Sequence, residues 1–135
     1  MQIEPATRED SAYIRSRDRH VHDKLIESKI DNGEIYIFRD GDGTAIGWLR
    51  YGHFWDNTPF MNMLWLDEPY RGQGLGKHAV RHWEVEMRRQ GFRLAMTSTL
   101  SNEEAQHFYR KLGYKDAGCL LLEGEALEIL MTKSL

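Results

Sequence analysis

The sequence predicts an α/β domain, a mixed and mainly antiparallel sheet flanked by helices, in the order β-αα-βββ-α-β-α-ββ. Three observations carry this expectation. Apolar residues recur with a period of two in several short β-rich runs. Between them the period lengthens to that of a helix, most clearly from Leu75 onward. Turn chemistry separates the runs, with Asp40-Gly41-Asp42-Gly43 a strong hairpin signal. At 135 residues the chain suits a single domain, residues 1–135, with one sizeable core.

The elements follow in order. Gln2 to Pro5 is a short first strand. Thr7-Arg8-Glu9-Asp10 reads as a helix start, with Thr7 as N-cap and acids in the first turn. A broken helical region runs to about Ile30 and ends near Asn32-Gly33. Strands follow at 34–39, 44–51 and 60–66. Leu75, Ala79, Val80, Trp83 and Met87 share one helical face, and Gly91 stops that helix. Residues 92–99 form the next strand. Ser101-Asn102-Glu103-Glu104 reads as a capping box for a short helix carrying Ala105, Phe108, Tyr109 and Leu112 on one face. Two final strands, 116–122 and 127–133, flank a turn at Glu123-Gly124-Glu125.

Composition narrows the function classes. No apolar run approaches 18 residues, so no membrane span or membrane partner is expected. The polar, acidic start is not a signal peptide. Cys119 is the lone cysteine, which rules out an internal disulfide. Its apolar neighbours suggest a small buried hydrophobe, and a cytoplasmic location is the default. The net charge of −3 argues against nucleic-acid binding. Residues 71–93 nonetheless carry +4, leaving −7 on the remainder, and such a positive segment suits a polyphosphate ligand. His20 and His22 lack companion ligands, so no metal is expected.

The functional signal is Arg71-Gly72-Gln73-Gly74-Leu75-Gly76-Lys77, set between a strand and a helix. Glycines there let the backbone turn tightly and let a ligand approach the main chain. A helix start offers unpaired N–H groups and a positive dipole end, a ready anion site. A Walker A loop would want Gly where Arg71 stands and Ser or Thr where His78 follows Lys77. Gly74-x-Gly76-x-x-Ala79 fits a permissive dinucleotide fingerprint, but the next strand lacks the required acid. A glycine-rich turn without ligand also stays open.

The third reading, Arg71-x-x-Gly74-x-Gly76, resembles the acetyl-coenzyme A loop of GNAT-type N-acetyltransferases. Asn102-x-x-Ala105-x-x-Phe108-Tyr109-x-x-Leu112-Gly113-Tyr114 resembles that family's second cofactor segment. The element order is similar to the family's as well, so the resemblance covers almost the whole chain. It implies acetyl transfer from acetyl-coenzyme A (acetyl-CoA) to a primary amine of a small molecule or peptide, by direct attack in a ternary complex. It places the pyrophosphate on N–H groups of Arg71, Gly72, Gln73, Gly74, Leu75 and Gly76, with Lys77 or Arg71 adding charge. The pantetheine arm would pair with main chain near Leu64 and Leu66, and Asn102 would touch the same cofactor. Tyr109 takes the position of the family's general acid.

The resemblance falters at the base. Where many relatives keep a glutamate on the fourth strand, this chain has Asn62, and an amide cannot accept the proton. Asn62 would then hold a water or the acceptor; Asp56, His53 and Glu68 are the other candidate bases. The aromatic segment 51–60 reads either as an acceptor wall, with Trp55 and Asp56 receiving a cationic amine, or as a strand extension. The missing glutamate leaves an alternative open, a CoA-binding sensor or interaction module with little activity. Relatives of this kind often dimerise, so a homodimer is a further expectation.

Overall fold

Apolar alternation becomes strand pairing in the computed structural model, which describes residues 1–135. Its elements are β1 (Gln2–Pro5), α1 (Ser11–Arg17), α2 (Asp23–Asp31), β2 (Ile35–Arg39), β3 (Ala45–Phe54), β4 (Thr58–Leu66), α3 (Leu75–Arg89), β5 (Leu94–Leu100), α4 (Ala105–Lys111), β6 (Lys115–Leu120) and β7 (Glu128–Ser134). The strands form a seven-stranded sheet ordered β1-β2-β3-β4-β5-β7-β6. β4 and β5 are parallel; β1–β2, β2–β3, β5–β7 and β6–β7 are antiparallel. Architecture and element order are those expected from the sequence. No helix is long and apolar enough to cross a membrane.

Two compact units divide the chain. The first holds residues 1–51 and 63–82. Its core joins Ile14 of α1 and Ile26 and Ile30 of α2 to Ile35, Ile37 and Trp48, with Met63 and Trp65 packed alongside. Ile26 and Ile30 stand four apart and so share one helix face. Each fully buried side chain of this size contributes about 1.5–3 kcal/mol. Gly47 is required here, because a Cβ would collide with the Trp65 carbonyl oxygen and crowd Phe38 and Leu66. The buried Asp18 carboxylate accepts from Arg50 Nε at 3.0 Å. Thr7 begins a short 3-10 turn, Arg8–Asp10, and its N–H donates to Asp10 Oδ2 at 2.9 Å.

The second unit holds residues 52–62 and 83–135. β7 pairs along its length with β5 on one side and β6 on the other. Trp83, Met87, Ala95 and Met131 are fully buried. Glu84 of α3 is buried too, and it accepts from Lys133 Nζ at 2.9 Å and from the Tyr114 hydroxyl at 3.2 Å.

Two local expectations fail. Cys119 is exposed, not buried, because β6 is the sheet's edge strand and is exposed throughout. The Ser101 capping box is absent: α4 starts later, with Glu104 as N-cap and no side-chain cap bond. Ser101 instead donates its N–H to the Leu127 carbonyl at 2.7 Å. The segment 51–60 takes the second of its two readings, the strand extension. β3 runs on to Phe54 and β4 starts at Thr58, so only a tight turn remains.

Candidate active site

The glycine loop begins where β4 ends. Pro69 sits in a 3-10 turn, Glu68–Tyr70, that breaks the strand direction. Gly72 and Gly74 take φ values of 73° and 81°, the left-handed region that L side chains resist. The chain then enters the 15-residue α3 at Leu75. The first intrahelical acceptor is the Gly74 carbonyl, which takes the His78 N–H. The N–H groups from Gly72 to Lys77 therefore have no backbone acceptor. They lie at the positive end of the helix dipole beside the exposed Lys77 ammonium, an arrangement suited to a diphosphate.

Arg71 departs from its expected role in both of its groups. Its N–H donates to the Glu68 carbonyl at 3.1 Å, so it is not part of the free row. Its Nε donates to the Leu66 carbonyl at 2.7 Å, and the guanidinium lies 4.7 Å from the Trp65 ring centre. The Leu66 carbonyl thus already accepts one hydrogen bond, within the main chain expected to meet the pantetheine arm. Arg71 ties the loop to β4 here, and Lys77 carries the available charge.

In the second unit, Tyr109 of α4 is buried, 7% exposed. Thr97 Oγ1 donates to the Met61 carbonyl at 3.0 Å. The Tyr109 hydroxyl also interacts with Thr97, a contact that favours the ionised phenol. Burial pushes the Tyr109 pKa up to about 12, and the Thr97 bond offsets this in part. The sequence leads one to expect a value near 10; enclosure by Phe108, Tyr114 and the sheet raises it. Asn102 lies in the exposed turn before α4.

The parallel ladder joins Phe60 to Met96 and Met61 to Thr97. At the next step Asn62 and Ser98 are not paired; both line a pocket of about 450 Å³. The end of β3 adds His53 and Phe54, and β4 adds Phe60. β6 and β7 add Leu120, Glu128 and Leu130. Phe54 and Phe60 stack at 6.2 Å, while His53 meets Phe92 at 5.6 Å. Trp55 and Asp56 do not line this pocket. They form the hairpin tip, with positive φ of 55° and 62°, and Trp55 is 80% exposed. Thr97 and Glu128 escape sequence reasoning. Thr97 is one Thr in a Thr-Ser-Thr run, and Glu128 reaches the pocket only because β7 inserts between β5 and β6.

A model of the acetyltransferase (GNAT) family matches residues 3–114. The chain belongs to the GNAT acetyltransferase family. It is accordingly an acetyl-CoA-dependent N-acetyltransferase by class. No curated protein matches it in sequence. Solved structures match its fold at low identity. Ard1 from Thermoplasma volcanium superposes with a TM-score of 0.84 at 15% identity, covering 99% of this chain and 97% of that one. yncA from Salmonella typhimurium, a putative acetyltransferase solved with acetyl-CoA, gives 0.81 at 17%, covering 99% and 93%. Arabidopsis thaliana Naa50, in complex with the bisubstrate analogue CoA-Ac-MVNAL, gives 0.78 at 18%, covering 99% and 98%. At these identities the likeness concerns the fold.

Proposed function

We propose that this GNAT enzyme moves the acetyl group of acetyl-CoA onto a primary amine of a small molecule or peptide, by direct attack in a ternary complex. The observation that carries the reading is the row of unpaired N–H groups from Gly72 to Lys77 at the head of α3. Acetyl-CoA in the Salmonella neighbour and a peptide-bearing analogue in the Arabidopsis one support both halves of the proposal.

Acetyl-CoA supplies a thioester carbonyl open to a neutral amine, with a thiol as leaving group. The glycine loop and Lys77 hold its diphosphate, and main chain near Leu64 aligns its arm. A backbone N–H near Leu66 stabilises the charge that develops on the carbonyl oxygen. Tyr109 donates its hydroxyl proton toward the departing sulfur. Asn62 positions the acceptor side.

A second reading, a CoA-binding module without turnover, draws on the carboxamide at Asn62. One experiment separates the two. Coenzyme A should raise the melting temperature by mass action, much more than ATP or NAD does. Gly74→Asp should abolish that rise by straining the backbone and setting a negative charge at the anion site. Acetyl-CoA with an amine panel should release free thiol; binding without release would favour the second reading, and absence of any shift would remove both.

A further inference from the structure

An amine acceptor arrives protonated, with a lysine-like pKa of about 10.4. Its charge needs a partner wherever it leaves bulk water. Asn62 offers none, and Asp56 is out at the hairpin tip. The pocket at the end of the β4–β5 ladder does offer one. Glu128 is its only carboxylate, and His53 is the other titratable group that lines it.

Strand register fixes where Glu128 lies. β7 pairs Leu130 with Ser98 and Glu128 with Leu100, while on its other side Glu128 pairs with Leu120. Positions two apart on a strand share a face. Glu128 therefore stands beside Leu130 on the pocket face, two residues beyond the level of Ser98 and past the point where β4 and β5 cease to pair. Ladders on both sides hold its backbone rigidly. Its side chain is half-buried and makes no hydrogen bond or ion pair. Apolar side chains of Phe54, Phe60, Leu120 and Leu130 supply the remaining wall, and 450 Å³ suits a small organic ligand.

Building on the acetyl-transfer reading, we propose that Glu128 is the residue that selects the acceptor: a primary ammonium bearing an apolar, aryl-sized substituent. The carboxylate accepts an N–H hydrogen bond and fixes the nitrogen's direction, while the substituent rests on the aromatic and leucine wall. The proton that must leave before attack passes to water, while the carboxylate holds and directs the nitrogen. Glu128 is thus a specificity residue, and the substrate class follows from the pairing of one anion with an apolar pocket.

The test uses calorimetry on the full protein saturated with coenzyme A, with 2-phenylethylamine and its neutral analogue 2-phenylethanol as probes. The wild type should bind the amine at least tenfold more tightly than the alcohol. Glu128→Gln should erase that preference, leaving alcohol affinity within about twofold, and Glu128→Asp should retain part of it. Equal affinities in the wild type would overturn the inference. So would a Glu128→Gln protein that keeps the preference or loses both ligands alike. Thiol release with the amine panel is scored separately: its absence would sink the acetyl-transfer reading, whereas these affinities judge Glu128 alone.

Discussion

Replacing Tyr109 by Phe removes one oxygen from a buried site and leaves the packing of the ring intact. The lost contact is that between the Tyr109 hydroxyl and Thr97, while Thr97 keeps its own bond to the Met61 carbonyl. The fold should therefore lose only about 1 kcal/mol. Catalysis should suffer far more. A donor at about 12 faces a thiolate whose conjugate acid has a pKa of about 8.5. Complete transfer is then uphill by roughly 3.5 units, or about 5 kcal/mol. The proton must move as the carbon–sulfur bond breaks, with Tyr109 lending a hydrogen bond throughout. General acids of this kind contribute about a hundredfold or more. The assay is steady-state thiol release, run where chemistry limits the rate, with a thermal melt and acetyl-CoA affinity as controls. We expect kcat to fall by about two orders with affinity unchanged. An unchanged kcat under those conditions would reduce Tyr109 to a packing residue.

Other consequences follow from the same contacts. Thr97→Val removes the polar partner of the Tyr109 hydroxyl, so kcat should drop by less than in Tyr109→Phe, and the two losses should not add in the double variant. Tyr109 has a folded pKa above its unfolded value near 10, so its stabilising contribution is whole below pH 10 and is lost as pH rises through about 12. Two units correspond to about 3 kcal/mol, and denaturant titrations between pH 9 and 12 should show a shallower decline in Tyr109→Phe than in the wild type. Gly47→Ala forces a methyl group into the Trp65 carbonyl and should cost at least about 1–3 kcal/mol in the same titrations. Asp18→Ala strands the buried Arg50 charge and should cost about 3–5 kcal/mol.

Periodicity and turn residues made the element order legible, because helices and strands impose periods that a single sequence displays. The glycine loop was legible for the same local reason: Gly72 and Gly74 adopt the conformations that called for glycine. Failures lie where partners distant in sequence decide. Whether Cys119 is buried depends on β6 being an edge, which no local pattern encodes. Ser101 carries a capping signature, yet its N–H is drawn to Leu127 across the sheet end. Trp55 and Asp56 looked like a binding wall, but the strands extend past the expected limits and leave them at a tip. Arg71 has the right chemistry for a phosphate, and its folding back onto Leu66 and Trp65 is visible only in three dimensions. Glu128 joins Asn62 in one pocket through the insertion of β7 beside β5, an event of topology.

Acyl transfer itself is the claim to test most directly. The purified protein should be incubated with acetyl-CoA and a panel of primary amines, and free thiol and acetylated amine should be quantified in the same reaction. The account predicts that at least one amine drives thiol release well above the hydrolytic background, matched one to one by acetylated product. Thiol release that never exceeds the amine-free control across the panel, from protein that binds acetyl-CoA, would contradict it.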